Sequence, residues 1–195
     1  MLIIKYMSMI PYPYTEKSEH GIPWHTSFIG QNMQHNYWLY NIVDKIMLEN
    51  PQIESIVEIG TGSGALTTVF GLWGIKKNIP VLTIDNVMRH NQSLLTHLNV
   101  KYLCDDEFGD NVQTHILNTV NNKPTWLYCD GGCKSKEFNK FAPLIPSNSI
   151  ISAHDLGTEF REEIDAAPLI PNIVQPYRRE WWTDLNIQLA IFKRQ

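Results

Sequence analysis

The sequence predicts an α/β fold: a doubly wound, mostly parallel seven-stranded sheet with an antiparallel last strand and helices on both faces. Three observations predict it. Short apolar runs alternate with segments of helical periodicity. One run enters a glycine-rich turn, Gly60-Thr61-Gly62-Ser63-Gly64, that opens a helix. Five runs end at a polar or acidic position: Gly60, Asp85, Asp105, Asp130 and Asp155.

Taken in order, residues 1–30 are rich in Pro, Tyr, His and Gly and predict an irregular N-terminal arm, with residues 31–195 forming a single domain. From Gln34 to Asn50 the apolar stripe Trp38, Leu39, Ile42, Val43, Ile46 and Met47 predicts a helix that Pro51 stops. Ser55–Gly60 is a buried strand. Leu66, Val69, Phe70 and Trp73 recur at helical spacing, weakening at Gly71 and Gly74. Pro80–Asp85 is a second strand, Leu94, Leu95 and Leu98 a weak helix, and Val100–Cys104 a third strand. Val112, Ile116, Leu117 and Val120 form a helix with Asp110 as its expected N-cap. Thr125–Cys129 is the fourth strand, Phe138, Phe141 and Ala142 belong to the next helix, and Ser149–Ala153 is the fifth strand. A short helix is expected after Thr158, and two further strands at Glu180–Trp182 and Asn186–Phe192. In such sheets the ligand lies beyond the carboxyl ends of the strands, so the acids fall on one rim. Each acid alone is explained as well by the preference of acids for turns; the set is not.

Composition sets the class. The chain has 195 residues, 43% hydrophobic and 18% charged, which suits one ordinary globular domain. A net charge of -4 and the lack of a basic stripe count against a nucleic-acid partner. No apolar run is long enough to span a bilayer or to form a secretory leader, so a cytoplasmic protein with no membrane partner is expected. Cys104, Cys129 and Cys133 have neither a disulfide framework nor zinc spacing and are expected to be buried thiols.

The glycine turn admits two ligands. Glycine lets the backbone turn sharply and approach a ligand, and the helix behind it offers free N–H groups. Gly60, Gly62 and Ala65 fit a dinucleotide pattern, and Asp85 lies about twenty residues on, where a carboxylate can accept both ribose hydroxyls. NAD satisfies these features as well as S-adenosylmethionine does. An NAD-dependent oxidoreductase is therefore the rival reading, and a non-catalytic cofactor-binding protein a third.

Val57-Glu58-Ile59-Gly60-Thr61-Gly62-Ser63-Gly64-Ala65-Leu66, Leu127-Tyr128-Cys129-Asp130-Gly131-Gly132 and Ile151-Ser152-Ala153-His154-Asp155 together resemble the Rossmann-like class I S-adenosylmethionine-dependent methyltransferases. The nearer resemblance is to the branch of cephalosporin hydroxylase and rhamnosyl O-methyltransferase-like proteins, and it runs from the first helix to the tail. It implies methyl transfer to a small hydroxylated acceptor. It implies a cofactor site at Glu58, Gly60, Thr61, Gly62, Ser63, Gly64, Asp85, Asn86, Asp105 and Asp130, with Glu58 near the amino-acid end and Asp105 (or its neighbour Asp106) at the adenine. It also implies a divalent cation, Mg or Mn, on Asp130, His154 and Asp155. His154 is a departure, because an acid or amide often stands there. Magnesium prefers oxygen ligands, and an imidazole suits manganese, iron or zinc better.

His154 and Asp155 are adjacent, so in an extended strand they face opposite sides. Both reach one ion only if the chain bends, and Gly157 offers a place for the bend. Two simpler roles stay open: a hydrogen-bonded structural histidine, and an Asp155 that caps the following helix. Lys134, four residues beyond Asp130, is a candidate base if a nearby cation or burial lowers its pKa, and a solvated charge otherwise. Asp130 and Lys134 are the catalytic candidates. Trp24, His25, Tyr177, Trp181 and Trp182 are candidate walls for a small acceptor, and Arg178-Arg179 a candidate anion contact. Homo-oligomers are left open, since no patch marks an interface.

Overall fold

The structure, a computed structural model, describes residues 15–17, 23–29, 31–33, 38–161, 165–166, 173–174 and 188–195. Thr15–Lys17 (β1), Pro23–Phe28 (β2) and Gln31–Met33 (β3) pair antiparallel. The N-terminal arm is thus not irregular where it is described. Phe28 pairs with Gln31, and Ile29 after it takes the left-handed conformation at φ 50°.

Trp38–Glu49 (α1) leads to Ser55–Ile59 (β4), the first strand of a second sheet. There follow Ala65–Lys77 (α2), Val81–Asp85 (β5), Gln92–His97 (α3), Val100–Cys104 (β6), Asp110–Val120 (α4), Thr125–Cys129 (β7), Lys134–Phe141 (α5), Ile150–His154 (β8), Ile173–Val174 (β9) and Leu189–Arg194 (β10). The sheet has seven strands in the order β6-β5-β4-β7-β8-β10-β9. β6 through β8 run parallel, and β10 is antiparallel to both its neighbours.

Alternating strand residues feed two cores. Ile56, Val81, Trp126 and Tyr128 pack with α1 and α2 on one face. Val57, Leu82, Leu127 and Cys129 pack with α4 and α5 on the other. Both faces are covered, so β4 and β7 are buried along their whole length. Across the first layer, the Trp73 indole donates to Asp44 Oδ1 at 2.7 Å and ties α2 to α1.

Several local expectations change. α2 runs unbroken through Gly71 and Gly74, because a side chain there would meet Val100, Leu98 and Val81 at under 3 Å; the glycines bring the helix onto the sheet. The N-cap of α4 is Gly109, and Asp110 is its first helical residue. Thr158 itself lies in a turn: the Asp155 carbonyl accepts the N–H groups of Thr158, Glu159 and Phe160. Helical structure is described only further on, at Asp165, whose N–H donates to the Arg161 carbonyl at 2.7 Å. Only Cys129 is a buried thiol; Cys133 is half-buried and Cys104 exposed. Glu180–Trp182 lies outside the described residues, as do Tyr177, Arg178 and Arg179 and the side chains of Trp24 and His25. No helix among the described residues is long and apolar enough to cross a membrane.

Candidate functional site

The chain leaves β4 toward β5 and β6 on one side and returns to β7 on the other. A crevice opens where strand order reverses, beyond the tips of β4 and β7. A cleft of about 470 Å³ lies there, lined from the glycine turn through Asp85 to Asp130, His154 and Asp155. That volume suits a nucleoside-sized ligand.

The glycine turn shapes one end. Gly60 has φ +92°, and a Cβ there would stand 2.2 Å from the Asp130 carbonyl oxygen and 2.6 Å from the Gly131 nitrogen. The tips of β4 and β7 therefore touch backbone to backbone, which only glycine permits. Gly62, at φ +52°, has open space where a side chain would lie, so its backbone faces the cleft. Thr61, Ser63 and Gly64 complete the turn and line the cleft. The Gly62 N–H donates to Asp85 Oδ2 at 2.8 Å and the Val87 N–H to Oδ1 at 2.9 Å, fixing the carboxylate at the tip of β5. Asn86 lies beside it on the same wall.

Glu58 forms the floor. It is 1% exposed. Thr67 and Thr83 both donate to its Oε2, at 2.6 and 2.7 Å. Burial pushes its pKa up to about 8; the two hydroxyl hydrogen bonds pull it down, and the charges of Asp130 and Asp85 push it up further. The Thr61 hydroxyl, 2.6 Å from that of Thr83, extends this hydrogen-bonded chain into the turn.

At the far end the charges cluster. The Lys134 ammonium is 2.7 Å from Glu159 Oε2, 2.8 Å from Asp155 Oδ2 and 3.8 Å from Asp130 Oδ1. His154 Nδ1 is 3.0 Å from Asp155 Oδ1 and 3.4 Å from Asp130 Oδ1. His154 and Asp155 do face one point, and the bend is in Asp155 itself, at φ 57°, with Gly157 at φ 89° behind it. The Asp155 carboxylate points at His154 and Lys134, and it caps no helix among the described residues.

Burial opposes charge on His154, but the carboxylates of Asp130 and Asp155 outweigh it and raise its pKa to about 9. Asp155 is lowered to about 2, first by its hydrogen bond to His154, with burial opposing and Lys134 assisting. Lys134 is corrected most. Burial pulls its pKa down, yet hydrogen bonds to Asp155 and Glu159 and the charge of Asp130 raise it above the ordinary lysine value. It stands as a cation and not as a base, which a lowered pKa would require.

One donor atom each from Asp130, His154 and Asp155 falls within a 4.8 Å span, so the three fit a divalent ion in position. One nitrogen with two oxygens suits manganese, iron or zinc better than magnesium. Asp105 stands apart from the cleft. Its carboxylate accepts the Asp106 N–H at 2.9 Å and the Asn111 amide at 3.2 Å. Glu107 lines the cleft instead, and Arg89 faces it. Neither carries a sequence signal, because both sit in loops with no motif. The N-terminal sheet reaches the glycine-turn end: Gln31 accepts the Asn91 N–H at 3.2 Å and donates to its carbonyl at 3.5 Å, beside Gly64.

No family model and no curated protein sequence matches the chain. Solved structures do match in shape. CmcI with magnesium and S-adenosylmethionine superposes at a TM-score of 0.67 with 14% identity, over 98% of this chain and 84% of that one. CmcI with S-adenosylhomocysteine gives 0.65 with 14% identity, over 98% and 91%. A candidate O-methyltransferase from Klebsiella pneumoniae gives 0.52 with 14% identity, over 90% and 84%. The chain therefore has the fold of the class I S-adenosylmethionine-dependent methyltransferases, as its resemblance to the cephalosporin hydroxylase branch implied.

Proposed function

We propose that this protein is an S-adenosylmethionine-dependent methyltransferase acting on an oxygen of a small hydroxylated acceptor. One observation carries the reading: a single cleft joins the glycine turn, Glu58 and Asp85 to the Asp130–His154–Asp155 cluster. The antiparallel β10 between β8 and β9 supports it over NAD, because dinucleotide-binding sheets continue in parallel order.

S-adenosylmethionine supplies a methyl group already activated on a sulfonium. The chain holds and orients. Asp85 accepts from the ribose hydroxyls, Gly62 brings its backbone close, and Glu58 presents a carboxyl to the cationic amino-acid end. Ionising Glu58 beside an ammonium costs less than leaving it charged and alone in the floor. Lys134 and His154 hold positive charge where the acceptor hydroxyl must sit, which lowers the pKa of that hydroxyl. Asp130, at the tip of β7, is the group placed to receive its proton. Lys134 thus acts as a charge and not as the proton acceptor. In place of the His154 charge, Asp130, a deprotonated His154 and Asp155 would hold a divalent ion, whose chemistry would be to polarise the acceptor oxygen. Holding the two reactants in line contributes on the order of 7–11 kcal/mol in favourable systems.

Isothermal titration with S-adenosylhomocysteine and with NAD, followed by turnover of S-adenosylmethionine against a panel of hydroxylated acceptors, tests the reading. Binding of the homocysteine product and acceptor-dependent turnover are expected. Tight NAD binding alone would replace the reading with a dehydrogenase. Cofactor binding without turnover on any acceptor would leave a non-catalytic binding protein. Full turnover in excess chelator would remove the metal and leave the rest.

A further inference from the structure

Glu137 is a carboxylate with no place in the scheme above, yet it is 0% exposed. It sits one turn into α5 and reaches back to the turn that precedes the helix. Its Oε1 accepts the Cys133 N–H at 2.8 Å and its Oε2 accepts the Gly131 N–H at 3.0 Å. The helix has no side-chain cap of its own at Cys133. Glu137 supplies that cap from inside the helix and at the same time takes a second N–H two residues earlier.

The two N–H groups flank Gly132, midway between Asp130 and Lys134. Packing there is close: a Cβ on Gly131 would stand 2.6 Å from Glu137 Oε1. On its other side the same turn is pressed by Gly60, whose missing Cβ makes room for the Asp130 carbonyl and the Gly131 nitrogen. The turn is thus held between the glycine loop and Glu137. Burying a carboxylate to satisfy two N–H groups is costly, since burial raises its pKa to about 7 while those hydrogen bonds lower it. A serine or aspartate at the cap would serve the helix alone more cheaply. What the buried acid adds is a fixed geometry for the whole turn.

We propose that Glu137 is a positioning residue for methyl transfer: it clamps the Asp130–Lys134 turn so that both end groups keep their distance from the cleft floor. The proposal rests on the methyltransferase reading. The test uses the full chain as wild type, Glu137→Gln and Glu137→Asp. Binding of S-adenosylhomocysteine to the wild type is measured first; its absence defeats the methyltransferase reading and not the clamp.

Given binding, Glu137→Gln turns an amide toward one of the two N–H groups and releases it. The expected result is a loss of kcat on the order of 100-fold, with the S-adenosylhomocysteine Kd kept within about threefold. Glu137→Asp, one methylene shorter, should not restore kcat, whereas a mere need for local charge would let it. A folded Glu137→Gln protein with kcat within about twofold of wild type overturns the proposal. If that variant does not fold, the wild type decides. Glu107 and Asp130 are the charged groups facing Glu137, with the Cys129 thiol beside it. The amide resonances of Gly131 and Cys133 should titrate together, and kcat should follow their midpoint. A kcat indifferent to that titration overturns the proposal as well.

Discussion

The two ends of the cleft are built by different means. At the glycine-turn end the ligand-facing groups are backbone or are pinned by backbone: Gly62 lies open, and Asp85 is held by the N–H groups of Gly62 and Val87. At the Asp130 end five charged side chains hold one another, drawn from β7, α5, β8 and the turn after it. The first end is fixed mainly by sterics and backbone hydrogen bonds. The second is a balance of cations and carboxylates, so pH or the loss of one charge disturbs it. The molecule grips with a rigid end and reacts with an adjustable one.

The largest effect that can break this comparison is at Gly60, where the two ends meet. Gly60→Ala needs a left-handed alanine and drives its Cβ into the Asp130 carbonyl. The expected cost is about 3–4 kcal/mol of stability in urea unfolding, with loss of S-adenosylhomocysteine binding by calorimetry. A cost below about 1 kcal/mol would mean that the tips of β4 and β7 separate freely and that no rigid end exists.

Next is Lys134→Met, which removes the cation shared by Asp155 and Glu159. Stability should fall by about 2–3 kcal/mol, less than for a fully buried pair because both partners reach solvent. Turnover should fall further than cofactor affinity does. Equal losses in the two would show that the ends are not separate devices.

Legibility in the sequence divided along the same line. The parallel strands, the glycine turn and the acids at the strand tips rest on local signals: apolar periodicity, glycine spacing and a polar residue after each run. Those signals survive without knowledge of the fold. Glu107 and Arg89 carry none, and the tie between Asp105 and Asn111 arises from a turn whose shape the sequence does not specify. The raised pKa of Lys134 needed the distances to three acids, one of them Glu159 on a turn expected to be helical. Glu137 belongs to no motif and lies in the core. Charge networks are assembled by tertiary approach, which local pattern does not report.

Acidity sharpens the comparison. The pKa of Glu58 is about 8 when folded against an ordinary 4.5, so the folded state keeps a proton that the unfolded chain releases, and stability falls as pH rises from 4.5 to about 8. The His154 value is about 9 against 6.5, so its contribution is complete below 6.5 and is lost as pH rises through about 9. Both slopes have the same sign, and they overlap between 6.5 and 8. The urea midpoint should decline across that window by the equivalent of about 3 kcal/mol. Glu58→Gln should remove much of the slope between 4.5 and 6.5, where Glu137 adds the rest, reduce it between 6.5 and 8, and leave the His154 share above 8. A midpoint that rises with pH would contradict both assignments.

The smallest effect on the fold, and the most selective one, belongs to Gly62→Ala. The position is left-handed at φ +52° but has nothing within 4 Å of the new methyl group. Strain alone should cost about 1 kcal/mol, a fraction of the cost at Gly60. The methyl group would instead stand in the cleft, where the backbone is meant to approach a ligand, so S-adenosylhomocysteine affinity should drop about tenfold or more. The pair of variants separates two uses of glycine in one turn: Gly60 lets strand tips touch, and Gly62 lets a ligand touch. Should the Gly62 variant bind as tightly as the native chain, the open space beside it is solvent and the cofactor lies elsewhere along the cleft.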